Sequence, residues 1–172
     1  MPSSPVGLVG SVVVALAVVG VFGAGGAESG LARGSVQCQG TRPNHVVRAG
    51  AGFGRDAFNY GNARLRAQLN WKDGRLRAGI LPDGGAVATI NADGSIWAKQ
   101  GWWRGLPGVL RVTGRRLDAP SQPLRADIRG GYGEQGFIPV GLVFPTVGCW
   151  RVTGKLGSAR LAYVVRVTKV SS

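Results

Sequence analysis

The stretch CWRVTGKLGSARLAYVVRVTKV, residues 149–170, decides the fold class of this chain. Its second half has an apolar side chain at every second position: Leu161, Tyr163, Val165 and Val167. Because successive side chains of a strand point to opposite faces, a period of two predicts a half-buried β-strand. The glycines in the middle suit a short turn, so the stretch is predicted to form strand, turn and strand.

The same period continues upstream. The segment ARLRAQLNW, residues 63–71, places its apolar residues on one face: Ala63, Leu65, Ala67, Leu69 and Trp71. Three further strands are predicted in RLRAGIL (75–81), AVATI (86–90) and IWAKQGWW (96–103). The pairs Asp73-Gly74 and Asp93-Gly94 are typical hairpin turns. These four short strands predict a meander.

The second half of the chain has the same character. LRVTGRRLD (110–118) and PLRADIR (123–129) also alternate, whereas FIPVGLVFPT (137–146) is apolar and interrupted by prolines. Proline cannot donate to a sheet, so this last segment is predicted to be an edge strand or a crossing between sheets. Thirty glycines, nine prolines and no long helical period indicate an all-β chain, with a single β-sandwich domain over residues 51–172.

A resemblance supports this fold. FPTVGCWRVTGKLGSARLAYVVRV, residues 144–167, resembles the closing hairpin of immunoglobulin-like sandwich domains, with its Pro-x-x-Gly-x-aromatic-x-Val pattern. From GWWRG (101–105) through GYGEQGFIPVGLVFPTVGCWRVTG to LAYVVRV, the chain resembles uncharacterised exported bacterial proteins. The resemblance covers roughly the C-terminal 70 residues. It implies an immunoglobulin-like β-sandwich and carries no activity to any residue.

The N-terminus differs in kind. Residues 1–27 contain no charged side chain, and residues 8–27 form an apolar run that ends in small residues. This predicts an export segment, either a signal peptide cleaved after Ala27 or a membrane anchor formed by residues 8–27. Residues 28–50 are polar and broken by glycine, which predicts a flexible N-terminal arm. The protein is therefore expected to be secreted or otherwise extracytoplasmic.

The charge balance suggests a class of partner. Because residues 1–27 are uncharged, the formal net charge of +13 belongs wholly to the rest of the chain. Such a surface attracts polyanions, and in an exported protein an anionic cell-wall polymer or glycan is the expected partner rather than nucleic acid. Membrane contact is expected only through an uncleaved N-terminal segment. In the alternative interpretation, arginines merely cover exposed strand faces of a structural module for envelope assembly, because no block of like charges occurs.

The two cysteines, Cys38 and Cys149, are predicted to form a disulfide, as an even pair does in an exported protein. Trp150 and Val152 share a face, so Cys149 belongs to the other face of its strand. If Trp150 is in the core, the bridge should hold the N-terminal arm across the outside of a sheet rather than join two sheets through the core.

Catalytic patterns are sparse. His45 is the only histidine, and neither a Gly-x-Ser-x-Gly elbow nor a Cys-x-x-Cys pair occurs. Asp73, Asp83 and Asp93 each precede glycine, as turn formers do. We therefore predict a non-enzymatic protein without a metal or cofactor. A glycan hydrolase remains a further alternative, because the separation of two carboxylates is not readable from sequence.

A cluster of tryptophans suggests a binding surface. Four residues are predicted to bind ligand, since aromatic faces beside cations suit sugar rings and anionic glycans: Trp97, Lys99, Trp103 and Arg104. Alternation continued from Ile96 places Trp102 inward and Trp103 outward, unless a bulge at Gly101 exchanges them. In the alternative interpretation, the rings serve mainly to fill the core.

Overall fold

In the computed structural model, residues 37–45, 58–80 and 88–170 are described. The predicted export segment, residues 1–27, lies outside these ranges. Within them, no helix has the length and apolar character needed to cross a membrane. The described residues form the following strands: β1 (Asn59–Gly61), β2 (Leu65–Gln68), β3 (Arg75–Ala78), β4 (Ala88–Ile90), β5 (Ile96–Arg104), β6 (Leu110–Arg116), β7 (Arg125–Ile128), β8 (Gly136–Phe144), β9 (Gly148–Leu156) and β10 (Ala159–Lys169).

The strands form two sheets. The larger sheet has the order β1-β2-β5-β8-β7, with β4 also paired to β5, and the smaller sheet has the order β3-β10-β9-β6. Neighbouring strands are antiparallel except β3 and β10, which are parallel. The predicted all-β class and the terminal hairpin β9-β10 are confirmed.

Large side chains from the inward faces of both sheets meet in one core. Trp102 of the larger sheet lies 6.2 Å from Tyr163 of the smaller sheet, measured between ring centroids, and Phe144 lies 5.6 Å from Trp150. The four alternating residues of β10 named above are all buried. Complete burial of such side chains contributes about 1.5 to 3 kcal/mol each, which makes this shared core the main stabilising feature.

The register of β5 confirms the predicted asymmetry of the tryptophan pair. Gly101 pairs with Pro139 and Trp102 with Ile138 in one uninterrupted ladder, so no bulge exchanges the two rings. Trp102 is 0% exposed, whereas Trp103 is only partly buried. The glycine at position 154 is needed here, because a Cβ on Gly154 would overlap the Trp102 ring.

The predicted meander is wrong in its first half. β2 pairs with β1 and β5, whereas β3 pairs with β10, so Asp73-Gly74 carries the chain from one sheet to the other instead of closing a hairpin. The partner of β3 lies about ninety residues away in sequence, which no local turn pattern reveals. The hairpin predicted at Asp93-Gly94 is confirmed by the antiparallel pairing of β4 and β5.

The apolar segment that begins at Phe137 is neither an edge nor a crossing. It forms β8, which lies between β5 and β7. Proline is tolerated because the β7 ladder ends with Ile128 opposite Val140, which leaves Pro139 without a β7 partner. Pro139 is therefore compatible with an interior strand, because it lies beyond the end of the neighbouring strand β7.

The predicted disulfide between Cys38 and Cys149 is present. Trp150 lies in the core, so alternation places Cys149 on the outer side of β9, where it is nevertheless only 1% exposed. Thr41 donates its backbone N–H to the carbonyl oxygen of Val164 at 2.7 Å, and its Oγ1 accepts from the Val164 N–H at 2.9 Å. Residues 37–45, predicted as part of a flexible arm, are thus joined to β9 by the covalent bridge and to β10 by the hydrogen bonds of Thr41.

One buried polar pair gives the fold a pH dependence. The Tyr163 hydroxyl donates to Gln100 Oε1 at 2.6 Å, and burial raises the pKa of the phenol far above its usual range. The unfolded chain can release this proton above about pH 10 while the folded chain retains it. We expect the contribution of the Tyr163 phenol to the free energy of unfolding to be fully present below about pH 10 and to fall as pH rises further. Urea unfolding of wild-type and Tyr163→Phe proteins between pH 8 and 11, roughly the range that spans a phenol's titration, measures it. The stability difference should shrink with rising pH, and a constant difference would contradict the expectation.

Candidate functional site

Three of the four residues predicted to bind ligand lie on the outer face of the larger sheet. Trp97, Lys99 and Trp103 alternate with the buried residues of β5. Trp97 is 37% exposed. Trp103 is partly covered, because the guanidinium carbon of Arg66 lies 5.6 Å from the centroid of its ring.

Arg104 does not belong to this surface, which corrects the sequence-based grouping. Strand alternation sends it to the opposite side from Trp103, and it is 3% exposed. Its guanidinium donates to the carbonyl oxygens of Tyr132 at 2.8 Å and Gly133 at 2.9 Å. Longer contacts reach the carbonyls of Gly108 and Gly136. Arg104 therefore fixes the loop before β8 and is not available to a ligand.

Trp97 and Lys99 line a groove of about 290 Å³, named here the Trp97 groove. Sequence reasoning missed its other principal lining residues: Asp127, Arg129, Tyr132, Pro139 and Gly141. Lys99 and Asp127 both pair with Gly141, from opposite sides of β8. Because Gly141 has no side chain, a depression remains between these two charged groups, and the Trp97 indole lies beside the exposed backbone.

A second surface lies on the outer side of the smaller sheet. Five exposed cations, named here the basic face, project from three adjacent strands: Arg111, Arg115, Arg151, Lys155 and Arg160. They form two cross-strand rows, in which Lys155 pairs with both Arg111 and Arg160, and Arg115 pairs with Arg151. The rows are four residues apart along the strands, or roughly 13 Å. Thr113 and Thr153 pair with each other between them.

The basic face is not neutralised by neighbouring carboxylates within the described ranges. The ion pairs there join Arg77 to Asp73, Arg116 to Asp118 and Arg129 to Asp127, and none includes a residue of the basic face. Like charges directly opposite one another destabilise a sheet.

The even spacing of arginine in the sequence concealed this surface. Two pairs of cations four residues apart, Arg111 with Arg115 and Arg151 with Lys155, were the available signal. Strand pairing was needed to place them side by side.

Three carboxylates with altered pKa act as structural groups. The Arg77 side chain lowers the pKa of Asp73, and the Ser95 hydroxyl lowers that of Asp93. Burial acts to raise the pKa of Asp118, but hydrogen bonds from Arg116 and from the Cys149 N–H lower it overall. A glycosidase acid needs a raised pKa, so these three groups are better suited to holding turns. Among the described residues, no three His, Cys, Asp or Glu side chains come together as metal ligands.

Comparison with known proteins gave no match to any family model, curated protein or solved structure.

Proposed function

We propose that this protein is a non-enzymatic, extracytoplasmic module that binds a linear anionic polymer on the basic face. The observation that carries the proposal is the pair of cation rows that no described carboxylate neutralises. A polyanion would remove the like-charge repulsion within each row and release its own counterions on binding. The Cys38–Cys149 bridge supports the location, since disulfides persist in oxidising compartments.

The spacing of the rows favours a polymer over a single small anion. One small anion could meet one row, but the second row is roughly 13 Å away. A chain with repeated negative groups can contact both, and the exposed hydroxyl of Thr113 can donate to it in between. Cell-wall polymers with phosphate and acidic glycans both have this chemistry.

We also propose that the two sheets form an immunoglobulin-like sandwich. The orders β2-β5-β8-β7 and β10-β9-β6 correspond to the A-B-E-D and G-F-C orders of such domains, with β3 added beside the last strand. At the start of β9, the Trp150 indole donates to the carbonyl oxygen of Thr146 at 3.0 Å, as a tyrosine corner does. Amide-to-amide NMR contacts between β3 and β10 test this topology, since an antiparallel pattern would contradict it.

Binding to a polyanion should weaken steeply as salt rises. We expect the exported protein to bind heparin and poly(glycerol phosphate) at low salt and to be released well before half-molar salt, where the screening length is about 4 Å. Arg115→Gln with Arg151→Gln should weaken binding about tenfold or more. It should also lower the slope of log affinity against log salt by about two, because two contacts are lost.

The matched control removes the same charge elsewhere. Lys72 and Arg125 are exposed and lie outside the basic face, so Lys72→Gln with Arg125→Gln should reduce affinity much less. Fluorescence anisotropy over a salt series measures both variants. Absence of binding at low salt, or insensitivity to salt, would overturn the electrostatic proposal. Equal losses in the two variants would show that the net charge acts without a defined face.

A further inference from the structure

The Trp97 groove lies on the sheet opposite the basic face and is not used by the proposed function. Trp97 projects from β5, an interior strand of the larger sheet, where a Cβ on Gly141 would lie 3.0 Å from its indole Nε1. The absence of a side chain at Gly141 thus leaves room for the indole ring, while 37% of Trp97 stays open to solvent. A solvent-exposed indole face of this kind is a stacking surface for a flat, partly apolar ligand.

The loop that carries Tyr132, the second aromatic residue of the groove, is held in place by hydrogen bonds from Arg104. Tyr132 is 43% exposed, and it lies between two glycines with positive φ, Gly131 at 90° and Gly133 at 61°. The buried Arg104 guanidinium donates to the carbonyl oxygens of Tyr132 at 2.8 Å and of Gly133 at 2.9 Å. Arg104 is therefore a positioning residue for this loop. A loop fixed before the ligand arrives lowers the entropic cost of binding.

The rim of the groove offers both donors and acceptors. Lys99 and Arg129 can donate hydrogen bonds to a ligand, and the Asp127 carboxylate can accept hydrogen bonds from one. Asp127 lies 3.8 Å from Arg129, so it offsets part of the local positive charge. A volume of about 290 Å³ is at the lower end of the range for small-molecule sites, which suits one ring rather than a long apolar chain.

We infer that the Trp97 groove binds a pyranose ring of a glycan. The apolar face of the ring stacks on Trp97, and its hydroxyl groups meet Lys99 and Asp127. A sugar is favoured over a proline-rich peptide because the rim places a carboxylate and two cations around the exposed Trp97 ring. Because the sugar carries no net charge, its stacking and hydrogen bonds are short-range and its binding is insensitive to salt, in contrast to polymer binding by the basic face.

The test follows individual tryptophans by NMR in the intact, disulfide-bonded protein. Cellotetraose and chitotetraose are titrated while the indole N–H signals are recorded, and the Trp97 signal is identified by its loss in Trp97→Ala. We expect that signal to shift with at least one of the two sugars, while the Trp102 and Trp150 signals stay in place. The shift should persist in half-molar salt, where the screening length is only about 4 Å.

Three variants distinguish sugar binding in the Trp97 groove from nonspecific stacking on any exposed tryptophan. Trp97→Ala should abolish the ligand-induced shifts of neighbouring backbone signals. Gly141→Ala retains every groove side chain but crowds Trp97 Nε1 and should displace the indole ring, so we expect it to weaken binding about tenfold or more. Trp103→Ala, a tryptophan of the same strand and face outside the groove, should leave sugar binding unchanged.

The outcomes distinguish this site from the basic face. No shift of the Trp97 signal with either sugar overturns the inference, whether or not heparin binds. A shift that also occurs in Gly141→Ala at full strength, or one that vanishes with salt, likewise overturns it. A proline-rich peptide that shifts the Trp97 signal when both sugars fail would assign the groove to peptide instead.

Discussion

Replacing Trp102 by alanine is expected to lower the free energy of unfolding by about 3 to 5 kcal/mol, the usual cost of deleting a buried large aromatic side chain. The ring is fully buried, packs 6.2 Å from Tyr163 and lies against Gly154, which has no side chain to fill the space. Its Nε1 is buried and has no hydrogen-bond partner among the residues that the structure describes, so deletion also removes an unsatisfied donor. Removing that donor should offset about 1 kcal/mol of the loss. We therefore expect the decrease in the free energy of unfolding to lie towards the lower end of the range given above.

The matched comparison is Trp103→Ala, one residue further along the same strand. Trp103 points outward and is covered mainly by Arg66, so its loss should cost about 0.5 to 2 kcal/mol, the range for a cation–π contact. Urea and thermal unfolding of both variants measure the difference. Equal, large losses would show that both rings contribute to the core and would contradict the assigned faces.

Removing the disulfide should have an effect of similar size. Cys38 and Cys149 are 111 residues apart, and in the chain-entropy treatment a closed loop of that length stabilises the folded state by about 4 to 5 kcal/mol. The double variant Cys38→Ser with Cys149→Ser should lose this contribution. It should also loosen residues 37–45, whose Thr41 pairs with Val164 beside the bridge.

Two measurements check the bridge. Mass analysis of non-reduced, exported protein after alkylation should show both thiols blocked in one intramolecular disulfide. Unfolding in reductant should bring the wild-type protein to the stability of the double variant and leave the double variant unchanged. Two alkylated thiols, or a double variant as stable as the wild type, would contradict the prediction.

The sequence alone predicted those features that depend on neighbouring residues. Strand alternation is local, because each peptide unit turns the next side chain to the other face. It therefore placed Trp102 in the core and Trp97, Lys99 and Trp103 outside, and it put Cys149 opposite Trp150. Cysteine number and the predicted export segment were sufficient to predict the bridge to Cys38.

The same local rule could have separated Arg104 from the ligand-binding group, since it follows Trp103 directly. What it could not supply was the function of a buried arginine, because the carbonyls of Tyr132 and Gly133 come from a loop 28 and 29 residues further along the chain. A guanidinium inside the fold is tolerated only where several acceptors converge.

Strand pairing was decided by the tertiary structure. Whether Asp73-Gly74 reverses the chain or passes it to the other sheet depends on β10, the strand that pairs with β3 from about ninety residues further along the chain. The two candidate surfaces depend on pairing in the same way. Asp127 and Lys99 lie on either side of Gly141 because both pair with it, and Arg115 lies opposite Arg151 because β6 pairs with β9. A period of two in the sequence determines the face of the strand on which a side chain lies. Which other side chains lie beside that side chain is determined by the long-range pairing register alone.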